Sequence, residues 1–95
     1  MDFEWDVEKA RANWLKHGVT FDLATSIWND PHLQIVLDSV VDGEERWWAV
    51  GYGAISGLLI AVHVYPDPTD ESRVRLISAR RASKHEQRRY QDGSL

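Results

Sequence analysis

The spacing of apolar and polar side chains changes period twice along this chain, dividing it into a helical start, a strand-rich middle and a short helical end. Phe3-Glu4-Trp5 alternates as a short strand. Asp6 then supplies an N-cap for a helix over residues 7–17, with Val7, Ala10, Trp14 and His17 on one face and Gly18 at its stop. A second helix starts near Thr20, carries Leu23, Ala24, Ile27 and Trp28 as its buried stripe, and ends at Asn29-Asp30-Pro31. From there alternation takes over. Leu33, Ile35 and Leu37 share one side of a strand that turns around Asp42-Gly43 into a second strand over residues 45–52. Gly53 to Gly57 make a turn before residues 58–64, a mostly apolar run suited to a central strand, and residues 73–77 form the last strand after a loop from Pro66 to Glu71. Ser83-Lys84-His85-Glu86 is a capping box that opens a helix over residues 84–91. The expected architecture is α+β in the order β-α-α-β-β-β-β-α. Its mainly antiparallel sheet packs against two N-terminal helices and a basic C-terminal helix, with the helices on one sheet face.

Ninety-five residues are too few to divide, because neither half would bury enough apolar surface to fold, so residues 1–95 are expected to form one domain. Hydrophobic residues at 43% and five tryptophans are the composition of a packed globule. Trp5, Trp14 and Trp28 read as core, whereas Trp47 and Trp48 point to opposite faces of one strand, which leaves one of them for solvent or a partner. The absence of cysteine excludes disulfides and thiolate metal sites, and the four histidines have no ligand spacing, so neither a metal nor a cofactor is expected. Met1-Asp2-Phe3-Glu4 lacks the start of a signal peptide, and no run approaches the ~20 apolar residues of a membrane span. A cytoplasmic protein without a membrane partner is expected.

The net charge of −4 conceals a segregation of sign: residues 1–72 hold 4 basic and 13 acidic side chains, whereas residues 73–95 hold 7 basic and 2 acidic. A basic end on an acidic body attracts a phosphate polymer locally while the remainder maintains solubility. Two functions of different class fit: an enzyme acting on nucleic acid, and a non-catalytic interaction protein whose basic third docks an acidic partner or nucleic acid.

Candidate chemistry concentrates at a few positions. Arg80 and Arg81 fall in the expected connection between the last strand and the capped helix, where two guanidiniums can make forked hydrogen bonds to a phosphate. The same side chains would alternatively clamp a carboxylate such as Glu4 or Asp6. Alternation puts Arg73 and Arg75 on one face of the last strand, and pairing with the preceding strand would bring His63 onto that face, away from the helices. An imidazole beside cations has a lowered pKa and is a base near neutrality, although a strand histidine also serves structurally. Lys16 and His17 suit the negative end of the first helix dipole, and His17 is a second acid–base candidate.

Phe3-Glu4-Trp5-Asp6, Lys9-Ala10 with Asn13, Lys16-His17-Gly18-Val19 with Phe21, and Ile77-Ser78-Ala79-Arg80-Arg81-Ala82-Ser83 leading to Glu86 and Arg88-Arg89-Tyr90 resemble the BrnT family of bacterial type II toxins over residues 3–91. The resemblance implies a RelE-like ribonuclease fold, inhibition of translation through RNA cleavage, and neutralisation by a BrnA-type antitoxin that carries the DNA-binding domain. The expected enzyme is a metal-independent endoribonuclease in which the RNA 2′-hydroxyl attacks the adjacent phosphate. Arg80 and Arg81 would stabilise charge, His63 or His17 would transfer protons, and Lys16, Arg73, Arg75, Lys84, Arg88 and Arg89 would bind RNA. An antitoxin dimer would join two toxins and bind DNA as a complex. Its acidic segment would cover the patch around Arg73, Arg75, Arg80 and Arg81, with Trp47 or Trp48 as an apolar anchor. The chain departs from the family pattern at His63-Val64-Tyr65-Pro66, where threonine and soon arginine are expected, and Arg73 is the candidate to replace that phosphate contact.

Overall fold

The local signals act where the sequence places them. The structure is a computed structural model that describes residues 1–54 and 57–95. The short strand β1 (Asp2–Glu4) leads to helix α1 (Val7–His17), whose N-cap Asp6 accepts from the Glu8 and Lys9 amides and whose C-cap Gly18 takes the left-handed conformation. Thr20 caps α2 (Phe21–Thr25), which tightens into a 3-10 turn over Ser26–Asn29. The hairpin of β2 (Gln34–Val41) and β3 (Glu44–Tyr52) turns through Asp42 and Gly43 at φ 51° and 79°, the paired positive values of a type I′ turn. Strand β4 (Leu58–Val64) pairs antiparallel with β3 and with β5 (Arg73–Arg81), and the capping box of Ser83 and Glu86 opens α3 (Lys84–Asp92). The turn expected between Gly53 and Gly57 lies partly outside the described residues, but the Gly53 amide donates to Gly57 O at 2.9 Å across it.

The sheet order is β1-β5-β4-β3-β2, antiparallel except for β1, which joins β5 in parallel. Two expectations need correction. The last strand continues to Arg81 rather than stopping at Ile77, so Arg80 and Arg81 are strand residues and not part of a connection. The helices also occupy both sheet faces. One core gathers Val19, Phe21, Ala24 and Ile27 against Ala49, Leu59, Ala61, Leu76 and Ala79, whereas the opposite face packs Val50, Leu58 and Ile60 against Ala82 and Tyr90 of the α3 segment. Tyr90 anchors α3 by donating its hydroxyl to Asp30 Oδ2 at 2.9 Å, and Gln34 Nε2 donates to Tyr90 O at 3.1 Å.

The stripe assigned to α1 is also displaced. Val7 and Trp14 are exposed, Trp14 by 53%, so Trp14 is no core residue, and the buried side chain is Asn13. Trp5 and Trp28 do pack against the first core as expected. Asn13 is buried because β1 ends at Glu4 while β5 runs on for six more residues, to Arg81, whose outer edge then needs partners. Asn13 Nδ2 donates to Ala79 O and Val19 O, both at 2.9 Å, and Oδ1 accepts from Ala79 N at 2.9 Å. One amide thereby imitates a neighbouring strand and ties α1, the loop after it and β5 together.

Truncation by Asn13→Ala would leave three buried backbone groups unpaired, at a cost of about 2–4 kcal/mol. Denaturant unfolding of the variant should show this loss, and a loss below about 1 kcal/mol would mean that β5 does not depend on the amide.

Candidate functional site

The Asn13–Ala79 clamp sets α1 alongside β5, both running in the same direction. Along their seam lies a groove of about 300 Å³ lined by Lys9, Ala12, Asn13, Lys16, His17, Ile77 and Ser78. Lys9 and Lys16 are seven residues apart, two helical turns, which puts both ammonium groups on one side of α1. A second depression of about 320 Å³ shares Lys9 and Ile77 with the first and adds Glu4, Trp5, Asp6, Arg75 and Leu76. The cations thus continue from the helix around the edge of β5. His17 lies one helical turn beyond Asn13, and Arg81 lies two residues beyond Ala79, so both extend past the clamp at the same end of the seam.

Arg73, Arg75 and Arg80 of β5 occupy the other sheet face. Glu4 sits beside Arg73 and Arg75, with Arg73 Nη2 at 3.1 Å from Oε1 and Arg75 Nη2 at 2.7 Å from Oε2. Hydrogen bonds from Arg75 and then Arg73 hold the Glu4 carboxyl below the usual range. Arg80 forks onto Glu86 at 2.8 and 2.9 Å, and its guanidinium lies over the Trp48 ring, 5.5 Å from the centroid. The Arg80 contacts, followed by those of Ser83, lower Glu86 to about 2. Clamping a carboxylate was one of the two roles weighed for Arg80, and the clamp exists with Glu86 rather than Glu4 or Asp6. Lys84 and Arg88 are exposed on α3, whereas Arg89 holds the chain end by donating to Ser94 O at 2.6 and 3.1 Å.

His63 is not on the arginine face. It pairs with Leu76, lies on the α1–α2 side and is 0% exposed, with its ring edge-on to Trp28 and Tyr65 at 5.2 and 5.1 Å. Burial, rather than neighbouring cations, pushes it down to about 4, and its Nε2 has no hydrogen-bond partner among the described residues. Arg73 lies across the sheet from it, so it does not restore a contact beside His63. The misplacement has a physical cause: β4 is covered on both faces, and an apolar run of that kind contains no parity signal.

The family described as "Ribonuclease toxin, BrnT, of type II toxin-antitoxin system" matches residues 5–86. The chain belongs to the BrnT family. The crystal structure of the Brucella abortus ribonuclease toxin, BrnT, is similar to it at a TM-score of 0.64 and 22% identity, covering 88% of this chain and 99% of that one. That similarity establishes a shared α+β fold. No curated protein matches the chain. Among the described residues, no helix is long and apolar enough to cross a membrane.

Within this BrnT chain the seam contains two groups that were not selected from the sequence as site residues. Lys9 was legible through its spacing from Lys16. Ser78 was not, because its position depends on the bulge that shifts register between Val62 and His63, opposite Ser78 and Leu76.

The buried imidazole makes stability depend on pH. The unfolded chain protonates His63 near 6.5 and the folded chain only near 4, so acid favours unfolding: this contribution is complete above pH 6.5 and is lost as pH falls toward 4. The loss reaches up to about 3 kcal/mol. Replacing His63 with leucine should flatten the fall in denaturation midpoint between pH 7 and pH 4.5. An unchanged slope would assign the acid sensitivity to other groups.

Proposed function

We propose that this chain is an endoribonuclease toxin whose catalytic groove is the α1–β5 seam. Membership of a family of ribonuclease toxins supplies the activity class. The location rests on one observation: the seam is a concave site in which a partly exposed histidine, His17, lies with two lysines.

In this reading RNA supplies its own nucleophile and no metal takes part. His17 accepts the proton of the 2′-hydroxyl as that oxygen attacks the adjacent phosphorus. Lys16 and Arg81 balance the charge that grows on the phosphorane, the phosphorus–5′-oxygen bond breaks, and the 5′-oxygen takes a proton from water while His17 keeps that of the 2′-hydroxyl, giving a 2′,3′-cyclic phosphate and a 5′-hydroxyl. Lys9, Arg75 and Arg73 track the RNA backbone along β5, and Lys84, Arg88 and Arg89 extend the cationic surface on α3. Arg80 acts mainly through Glu86, fixing the angle at which α3 leaves the sheet. His63 is assigned to the core in this proposal, which leaves proton transfer to His17. Cleavage would arrest translation in the cytoplasm, with a BrnA-type antitoxin restraining the enzyme, two toxins per antitoxin dimer, and DNA bound only by that complex.

Purified protein should cleave RNA in the presence of a chelator and leave 2′,3′-cyclic or 3′-phosphate ends. Substitution of His17 by alanine should lower the rate about 10²–10⁴-fold without changing the unfolding midpoint. Products with 5′-phosphates, or an absolute requirement for a divalent cation, would refute the mechanism, and full activity of the His17 variant would move the site elsewhere. Arg80→Ala is expected to lower stability and activity together, in contrast to Lys16→Ala, which should lower activity alone and relieve growth arrest in an expressing host.

A further inference from the structure

The far edge of the sheet has a different chemistry. Strand β2 is the last in the order and has no neighbour beyond it among the described residues, whereas the opposite edge is shortened to the three residues of β1 and then covered by Asn13. Natural sheets blunt a long open edge with charge, proline or shortness. Here β2 spans eight residues and carries one charged side chain, Asp38, at a bulge. Ile35, Leu37 and Val40 are exposed by 40, 47 and 59%, and the pairing of Ile35 with Ala49, Leu37 with Trp47 and Val40 with Glu45 puts all three on the α1–α2 side, beyond the reach of those helices. The row leads to a cleft of about 370 Å³ lined by Glu44, Glu45, Trp47, Tyr65, Pro66 and Glu71, among others. Trp47 and Tyr65 meet there at 6.2 Å between ring centroids.

We infer that the β2 edge is a docking site for an extended segment of a protein partner, aliphatic along its length and basic where it reaches the Glu44–Glu71 cleft. This rests on the reading that the toxin works with a protein partner, and it places that contact away from the RNA groove. Charge selects the occupant. The hairpin of β2 and β3 holds Asp38, Asp42, Glu44 and Glu45 against one cation, Arg46, so the edge and its hairpin are acidic on balance and repel RNA, and a cationic side chain finds carboxylates and aromatic faces together in the cleft. A second copy of the chain fits poorly. Antiparallel self-pairing centred on β2 would bring the two Asp38 side chains together with no cation in the strand to balance them. Addition of a strand provides backbone hydrogen bonds for affinity, with the exposed aliphatic row and the acidic cleft setting specificity. An antiparallel segment would enter with its N-terminal end at the cleft. The expected acidic antitoxin arm over Arg73 and Arg75 would then be at most one of two contacts.

The probe is an acetylated octapeptide with arginine and lysine at its N-terminal end followed by alternating valine and threonine, titrated into the intact protein and followed by amide chemical shifts and tryptophan fluorescence. Binding should perturb the Gln34–Val41 amides and weaken as salt rises. Glu44→Lys with Glu45→Lys should weaken it at least 10-fold, and Leu37→Lys should remove it, while both variants keep wild-type RNA cleavage and sediment as folded monomers. No binding at millimolar peptide overturns the inference, as does equal binding of the same peptide with two glutamates in place of its cations. A concentration-dependent dimer that protects the β2 amides assigns the edge to a second copy and also overturns it. None of these readouts requires catalysis, so inactive protein that still binds the peptide would refute the ribonuclease mechanism and leave the docking edge standing.

Discussion

The carboxamide of Asn13 is the contact on which the rest of the arrangement depends. A sheet strand with an open edge needs partners for its outward N–H and C=O groups, and β5 outlasts β1 by six residues. Asn13 satisfies Ala79 on both groups and, through the second hydrogen of its Nδ2, also fixes Val19 O and thus the loop into α2. Because the amide is buried, the geometry is specific, and the seam between α1 and β5 is held at a fixed spacing. That spacing sets Lys9, Lys16 and His17 against Ile77 and Ser78. The proposed chemistry therefore depends on a structural asparagine that need not touch RNA.

A second constraint is the division of charge. Three cations of β5 are held by named partners: Arg73 and Arg75 by Glu4, and Arg80 by Glu86 and the Trp48 ring. These pairs are partly exposed, so each contributes modestly to stability, and their larger effect is to set direction. Glu86 does this twice, since it closes the capping box of α3 and receives the Arg80 fork, which joins the helix to the strand before it. Carboxylates gather instead at the hairpin of β2 and β3 and in the loop after β4, where Glu44, Glu45 and Glu71 face one cleft. A phosphate polymer and a basic peptide would meet opposite ends of the same small sheet.

His63 illustrates how a chemically capable residue can be unavailable. It is enclosed by Trp28 and Tyr65 and kept neutral by burial, and its Nε2, without a partner among the described residues, is a cost that the fold tolerates near the end of β4. His17 differs because it lies in the last turn of α1 and is partly exposed, so solvent reaches the residue.

The elements themselves were legible in the chain. Asp6, Thr20 and Ser83 cap the three helices, Asp42-Gly43 makes the hairpin, and the apolar run of residues 58–64 is the central strand, because caps, turns and periodicity act over a few neighbouring residues. The order β-α-α-β-β-β-β-α and the family followed from the same local signals and from motifs along residues 3–91. Which side of the sheet each residue faces did not follow. Trp14 was expected in the core and is exposed, and Asn13, read only as a motif residue, is buried, because a helix beside a strand edge can bury a polar residue that finds backbone partners. His63 was expected beside Arg73 and Arg75 and lies across the sheet from them, because α3 covers the second face of β4 and makes both of its parities apolar. Arg80 was separated from Arg81 only when α3 presented Glu86 to it. Side-chain chemistry is written into the sequence locally, whereas the choice of face is settled by which elements remain to cover each side of the sheet, and that is a property of the packed chain.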